Sequence, residues 1–294
     1  MTLPTRPLNP KTPDFFGEIL ELDLSKPFTP DLGENVMRAL DHYGVCVLRG
    51  QSMTDAQHVA FSRLFGDLER SPNFGVPDGK PVRMKLPELF DVSNLDENDD
   101  ILPDTDRRRY FRLANEMWHT DSSFQPGGAS YSLLRSKVVP GSGADTEFAD
   151  MRAAYDSLSP DMKERIEHMV VEHSTAYSRS VMGYKFDEQE LKRRNPTPQY
   201  LVQTHPRSKR KSLYLASHAS HVVGMDIAEG RALLAELTAL ATQPRFVYRH
   251  QWRVGDLVVW DNRCTMHRAT KFDDTVEKRD LRRTTVIGDL PLVV

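Results

Sequence analysis

The chain has 294 residues, with 39 Lys and Arg set against 42 Asp and Glu for a formal net charge of -3. That near-balance does not favour broad electrostatic binding to nucleic acid or to anionic lipid, and a small-molecule enzyme fits it better. The only two cysteines, Cys46 and Cys264, make no disulfide framework. The opening MTLPTRPLNPKTPDFF lacks an apolar core of signal-peptide length, and no run approaches the ~18 apolar residues of a membrane span. A soluble, cytoplasmic protein is the expectation.

Early elements alternate between helix and strand. ENVMRALDHYG has helical periodicity and stops at Gly44. GVCVLRG then reads as a strand with Val45, Val47 and Arg49 on one face. TDAQHVAFSRLFG opens with Thr54 and Gln57 in capping-box spacing and runs to Gly66. Residues 70–112 are rich in Pro, Asp and Arg and, apart from a short FDVSN strand, show no period, which suggests a lid or active-site loop. From residue 131 onward strands dominate: YSLLRSKVV, DTEFAD, VVEHSTAY, YLVQTHP, KSLYLASH, RFVYRH, GDLVVW and RRTTVIG. Two helices interrupt them. One opens at Ser159 with Pro160 in its first turn; the other, DIAEGRALLAELTALAT, has Asp226 and Glu229 in capping-box spacing and Leu233, Leu237 and Leu240 on one stripe. Eight short strands with helices packed outside predict a mainly β sandwich or jelly roll, here as a single domain over 1–294.

Within WHTDSSF, His119 and Asp121 lie two apart. On a strand such residues share a face with Cα atoms ~6.5 to 7 Å apart, so both side chains can converge on a metal. Taken alone, the pair is better explained by a strand-end histidine followed by an Asx turn. A third candidate appears in GDLVVWDNRCTMHRAT, where an apolar strand leads into Asp261 and Asn262 and then presents His267. Two imidazoles and a carboxylate on one face of a metal leave adjacent positions open, as in non-heme Fe(II) oxygenases. Zinc hydrolases use similar atoms, and a satisfied core histidine would also explain His267. The following stretch, EKRDLRRTTV, discriminates. As a strand it places Arg279, Leu281, Arg283 and Thr285 on one face and Asp280, Arg282 and Thr284 on the other. Inward arginines imply inward anions, best matched by carboxylates, whereas a charged solvated edge strand would need none. Together with the three metal candidates they suggest a dicarboxylate co-substrate, for which 2-oxoglutarate has the right chemistry.

On HYGVCVLRGQ, AFSRLFGDLE, DVSN, MWHTDSSF, DTEFADMRAAYDSL, LASHASHVVGM, ATQPRFVYRHQWRVGDLVVWDNRCTMHR and RDLRRTT, the chain resembles the taurine/2,4-dichlorophenoxyacetate dioxygenase family (TauD/TfdA), on its TfdA-like branch. The resemblance implies a double-stranded β-helix (jelly roll) and an enzyme that couples O2-dependent decarboxylation of 2-oxoglutarate to oxidation of a small acid. Position by position it makes His119, Asp121 and His267 the Fe(II) ligands and Thr146 and Arg279 the partners of the distal 2-oxoglutarate carboxylate. Trp260 packs along the co-substrate, Arg283 meets an anionic substrate head group, and Asn94 lies where a polar pocket residue is expected. RSPNFGVPDGKPVR, Arg70 to Arg83, departs from the TfdA-like pattern. An aryloxyalkanoate-like carboxylate substrate is therefore expected beside amino acids or aliphatic acids, with hydroxylation, desaturation and ring closure all open. Two other classes stay open, a zinc-type hydrolase and a non-catalytic jelly-roll binding protein. His218 and His221 in SHASH either line the pocket, form a second metal pair or serve the commoner structural or surface roles, RSKRK (Arg207 to Lys211) reads as a solvated turn with attraction of anionic substrate as a minor alternative, and homo-oligomerisation is left open.

Overall fold

The computed structural model describes residues 3–71, 83–106, 108, 113–192 and 194–293. A seven-stranded sheet runs in the order β1-β2-β3-β13-β5-β15-β4. Its strands are β1 (Thr5–Pro7), β2 (Gly17–Ile19), β3 (Val45–Leu48), β4 (Phe90–Ser93), β5 (Ala129–Val138), β13 (Leu257–Asp261) and β15 (Asp280–Ile287). Facing it is a three-stranded sheet of β12 (Val247–His250), β6 (Thr146–Asp150) and β14 (Thr265–Ala269). A second triplet, in the order β11-β7-β8, joins Ala219–Val222, Val170–His173 and Thr197–Tyr200; β9 (Val202–Thr204) and β10 (Lys211–Leu213) pair as a hairpin. This is the jelly roll that the strand pattern predicts.

Period-two alternation explains how the large sheet is covered on both sides. Along β13, Val258 and Trp260 point into the sandwich beside Leu134 of β5, Leu281 of β15 and Phe148 of β6. Leu257 and Val259 point the other way, to Val36 and Leu40 of α1 (Leu32–Tyr43) and Phe61 of α2 (Asp55–Ser62). β3 divides in the same manner, with Val45 and Val47 inside and Cys46 and Leu48 under the helices. Burying both faces of these strands is what places β5, β13 and β15 at the centre of the molecule, and Trp260 on β13 and Arg283 on β15 ride on them.

Local signals act as expected at several ends. Gly44 terminates α1 at φ 69°, where its N–H donates to Leu40 O at 2.7 Å. Thr54 and Gln57 form the reciprocal capping box of α2, and Ser159 and Asp226 cap Pro160–Ile166 and Ile227–Ala241. Other expectations are corrected. α2 stops at Ser62, and Leu64 and Phe65 continue only as turns. VVEHSTAY does not stay extended, because the Ser174 hydroxyl accepts from Tyr177 N–H and starts a helix, Thr175–Val181. YLVQTHP divides between β8 and β9, which belong to different sheets. Arg207 is tied to Glu34 and Asp41 of α1 and Arg210 to Asp156, so RSKRK is a set of clasps between elements and not merely a solvated turn. The stretch expected as a lid, 70–112, contains β4 as the edge of the large sheet, while 72–82, 107 and 109–112 lie outside the described residues.

Candidate active site

Two separate chain segments bring His119, Asp121 and His267 together, with one ligand atom of each within 4.8 Å of the others and all three residues buried. His119 does not sit in a regular strand as the two-residue spacing had suggested. It makes an isolated bridge to His267 on β14, N–H to carbonyl at 3.0 and 2.8 Å, and the chain then turns, with Ser122 at φ 52°. The HxD pair therefore converges through a strand-to-turn transition, in which Asp121 N–H donates to Asn262 Oδ1 at 3.2 Å. His119 Nδ1 contacts Met117 O at 2.8 Å; since a carbonyl only accepts, Nδ1 carries the proton and the Nε2 lone pair is left facing the cluster. The His267 ring is packed against Trp260, centroids 4.7 Å apart, and against Phe148 at 5.9 Å.

Electrostatics follow from this burial. Desolvation pushes both imidazoles below their ordinary pKa, which keeps them neutral and able to donate lone pairs. Burial by itself would raise the Asp121 pKa, but Arg283, the two histidines and the Ser132 hydroxyl outweigh it and hold the carboxyl at about 2. Arg283 Nη1 donates to Asp121 Oδ1, and Ser132 Oγ donates to Oδ2 at 2.8 Å. Two neutral imidazoles and one ionised carboxylate form a donor set that fits a divalent first-row metal with positions left open.

A cavity of about 300 Å³ opens beside this cluster, lined in part by His119, His267, Trp260, Thr146, Arg279 and Arg283. Thr146 begins β6, and its Oγ1 accepts from Trp252 Nε1 at 3.0 Å, so its own proton is available to an acceptor. Arg279 is buried just before β15, with Nη1 donating to Val92 O at 3.2 Å. Leu281 between the two arginines packs into the sandwich core, so the predicted parity of this strand holds.

The sequence model described as taurine catabolism dioxygenase TauD, TfdA family, matches residues 4–285. The chain belongs to this family. It is 43% identical over 277 residues to an alpha-ketoglutarate-dependent 2,4-dichlorophenoxyacetate dioxygenase from Burkholderia sp. (strain RASC), covering 94% of this chain and 92% of that protein. An (S)-phenoxypropionate/alpha-ketoglutarate-dioxygenase from Sphingobium herbicidovorans is 35% identical, with 84% and 83% covered. A crystal structure of AAD-2 in complex with Mn(II) and N-oxalylglycine superposes with a TM-score of 0.94 at 45% identity, covering 100% of both chains. The TauD/TfdA protein described here is thus a dioxygenase built on a jelly roll.

Of its sequence-predicted site residues, Asp121, Asn94 and His218 are not among those that line the cavity. Asn94 is 1% exposed, and its amide is spent on backbone: Nδ2 donates to Asp274 O and Glu277 O at 2.9 and 2.8 Å, and Oδ1 accepts from Arg279 N–H at 2.8 Å. In place of the expected pocket role, it clamps the loop that delivers Arg279. His218 is buried behind the cluster, its Nδ1 2.8 Å from Ser178 Oγ and its ring edge-on to Phe124. Sequence reading missed Leu134, Phe272, Lys271 and Asp274 as wall residues. Nothing in their local pattern marks them. It also passed over Ser132, whose only sequence signal is its inward parity with Leu134 on β5.

Proposed function

We propose that this dioxygenase uses Fe(II) and 2-oxoglutarate to oxidise a C–H bond of a small aryloxyalkanoate-like carboxylate. The observation that carries the reading is one cavity with His119 and His267 of the buried His119, Asp121 and His267 cluster at one wall and two inward arginines of the same strand segment, Arg279 and Arg283, at others. His119, Asp121 and His267 would hold the metal. Arg279 and the Thr146 hydroxyl would hold the distal carboxylate of 2-oxoglutarate, with Trp260 as a flat apolar wall beside it. When bound together, Fe(II) and 2-oxoglutarate convert O2 into an oxidant able to break an unactivated C–H bond, with release of succinate and CO2.

The chain's own residues then have three tasks. Neutral imidazoles and an ionised carboxylate keep lone pairs directed at the metal position. Arg279 supplies a fixed cation in a partly apolar cavity, where its attraction for a carboxylate is greater than in water. Arg283 touches Asp121 through Nη1 and has a buried Nε without a protein acceptor, a donor that a substrate carboxylate would satisfy. Placing the substrate's anionic end there orients the rest of the molecule, which is the positioning that this chemistry needs. The similarity to phenoxyalkanoate dioxygenases supports the aryloxy class of substrate.

The test is an anaerobic-to-aerobic assay with Fe(II), 2-oxoglutarate and a panel of aryloxyacetates, aryloxypropionates, their methyl esters, amino acids and aliphatic acids, scoring succinate and oxidised product. The expected result is O2- and 2-oxoglutarate-dependent turnover of aryloxyalkanoic acids and none of their esters. Turnover without O2 or 2-oxoglutarate would overturn the cofactor assignment, and equal turnover of acid and ester would overturn the carboxylate assignment.

A further inference from the structure

Behind Asp121 lies a chain of hydrogen bonds whose direction is set entirely by chemistry. Trp260 Nε1 and the Asp121 backbone N–H can only donate, and both are directed at one atom, Asn262 Oδ1, at 2.9 and 3.2 Å. That pair of donors fixes which end of the Asn262 amide is oxygen. Its Nδ2 therefore faces Ser132 Oγ, at 2.9 Å. Ser132, having accepted there, has its single proton left for Asp121 Oδ2, at 2.8 Å. Asp121, Ser132, Trp260 and Asn262 are all buried, so the chain is closed within the protein.

We propose that Ser132 and Asn262 are positioning residues for the metal-binding carboxylate: the relay Trp260 to Asn262 to Ser132 holds Asp121 in the one orientation that meets a cation shared with His119 and His267. The terminal torsion of an aspartate is intrinsically broad, so an unrestrained carboxylate would sample many orientations. Here each oxygen carries one hydrogen bond, Oδ1 from Arg283 and Oδ2 from Ser132, and rotation breaks both. The two donors differ in kind. Arg283 lines the cavity, and in the reading above it also serves the substrate, whereas Ser132 is not among the residues that line it and donates its proton to Asp121. Ser132 is thus the restraint that does not depend on what occupies the cavity. Groups that orient metal ligands in this way typically contribute 10–100-fold in metal affinity.

This inference rests on the proposed ligand role of Asp121, and the experiment separates the two. Metal-stripped wild type and the variants Ser132→Ala, Ser132→Thr, Asn262→Ala and Asp121→Ala are titrated with Co(II) by calorimetry. The visible absorption of bound Co(II) reports ligand geometry, and metal-free melting temperatures are recorded alongside. Ser132→Ala is expected to weaken Co(II) binding about tenfold and to change the Co(II) spectrum, with Asn262→Ala weakening it by a smaller factor and Ser132→Thr, which restores the hydroxyl, returning towards wild type. Wild-type affinity and an unchanged spectrum in Ser132→Ala, while Asp121→Ala loses Co(II), would overturn the relay alone. Retention of Co(II) by Asp121→Ala would overturn the ligand assignment itself. If Ser132→Ala does not fold, Asn262→Ala carries the same decision, since it frees the Ser132 hydroxyl without removing it.

Discussion

Arg282 and Arg283 are neighbours on β15 and have opposite surroundings. Arg282 faces the helices, where Nε and Nη2 donate to Asp280 at 3.5 and 3.2 Å and Nη1 donates to Asp55. Asp280 is shared with Arg83 at 2.9 Å and Asp55 with Arg135, while Thr284 on the same face meets Ser62 Oγ at 2.6 Å. Arg283 faces the sandwich interior, lines the cavity, stands over the Phe90 ring at 5.1 Å and leaves Nε without a protein acceptor. Identical side chains one residue apart thus differ: every Arg282 nitrogen finds a carboxylate, whereas Arg283 keeps one without a protein acceptor. A buried guanidinium whose nitrogens all find protein acceptors is architecture; one with a donor left over beside a cavity is the candidate for holding an anion that the proposed function assigns to Arg283.

If that division is right, damage on the inner side should alter binding and chemistry, and damage on the outer side should alter stability. The largest effect is expected from Asp121→Ala or His267→Ala, which should remove turnover and sharply weaken Fe(II) binding while circular dichroism shows the barrel intact; succinate formation by either iron-loaded variant would end the assignment. Arg279→Lys exchanges a planar fork for a point charge, and the 2-oxoglutarate requirement should rise about tenfold with the primary-substrate requirement little changed, measured by separate titrations. Arg283→Ala, assayed at saturating Fe(II), should raise the substrate requirement by a similar factor, about tenfold, and should uncouple 2-oxoglutarate consumption from product. Tightly coupled turnover in that variant would show that Arg283 reads something else.

On the outer face, Arg282→Met should cost about 1–3 kcal/mol of stability, since Asp280 and Asp55 keep Arg83 and Arg135 as partners, and should leave both substrate requirements unchanged. A shifted 2-oxoglutarate requirement there would blur the comparison. The smallest effect concerns His58, fully buried below Thr284, whose pKa burial lowers from 6.5 to about 3. The unfolded chain protonates this group at its ordinary value while the folded chain protonates it only near 3, so its contribution to stability is present above 6.5 and declines as pH falls through that window. Urea midpoints between pH 7 and pH 4 should therefore fall less steeply for His58→Gln than for wild type, by about one proton. Equal slopes would place His58 in contact with water.

Much of this was legible in the sequence, and the limits have a physical pattern. The alternation in LVVW, the stop at Gly44 and the Thr54 cap are short-range signals, so they were readable without a partner strand. So was the parity that turns Arg279 and Arg283 to one side and Arg282 to the other. The sequence by itself determined the main strands, the four capped or glycine-stopped helices and the residue types able to hold a metal and an anion. Tertiary structure decided the rest. Asp121 takes its orientation from Asn262, 141 positions away, and from Arg283, 162 positions away. Asn94 is drawn out of the pocket by carbonyls 180 and 183 residues on. Periodicity reports which way a side chain points from its own backbone, whereas hydrogen-bond partners at such separations exist only once the sheets have closed, and it is those partners that convert a histidine, an aspartate or an arginine into a site.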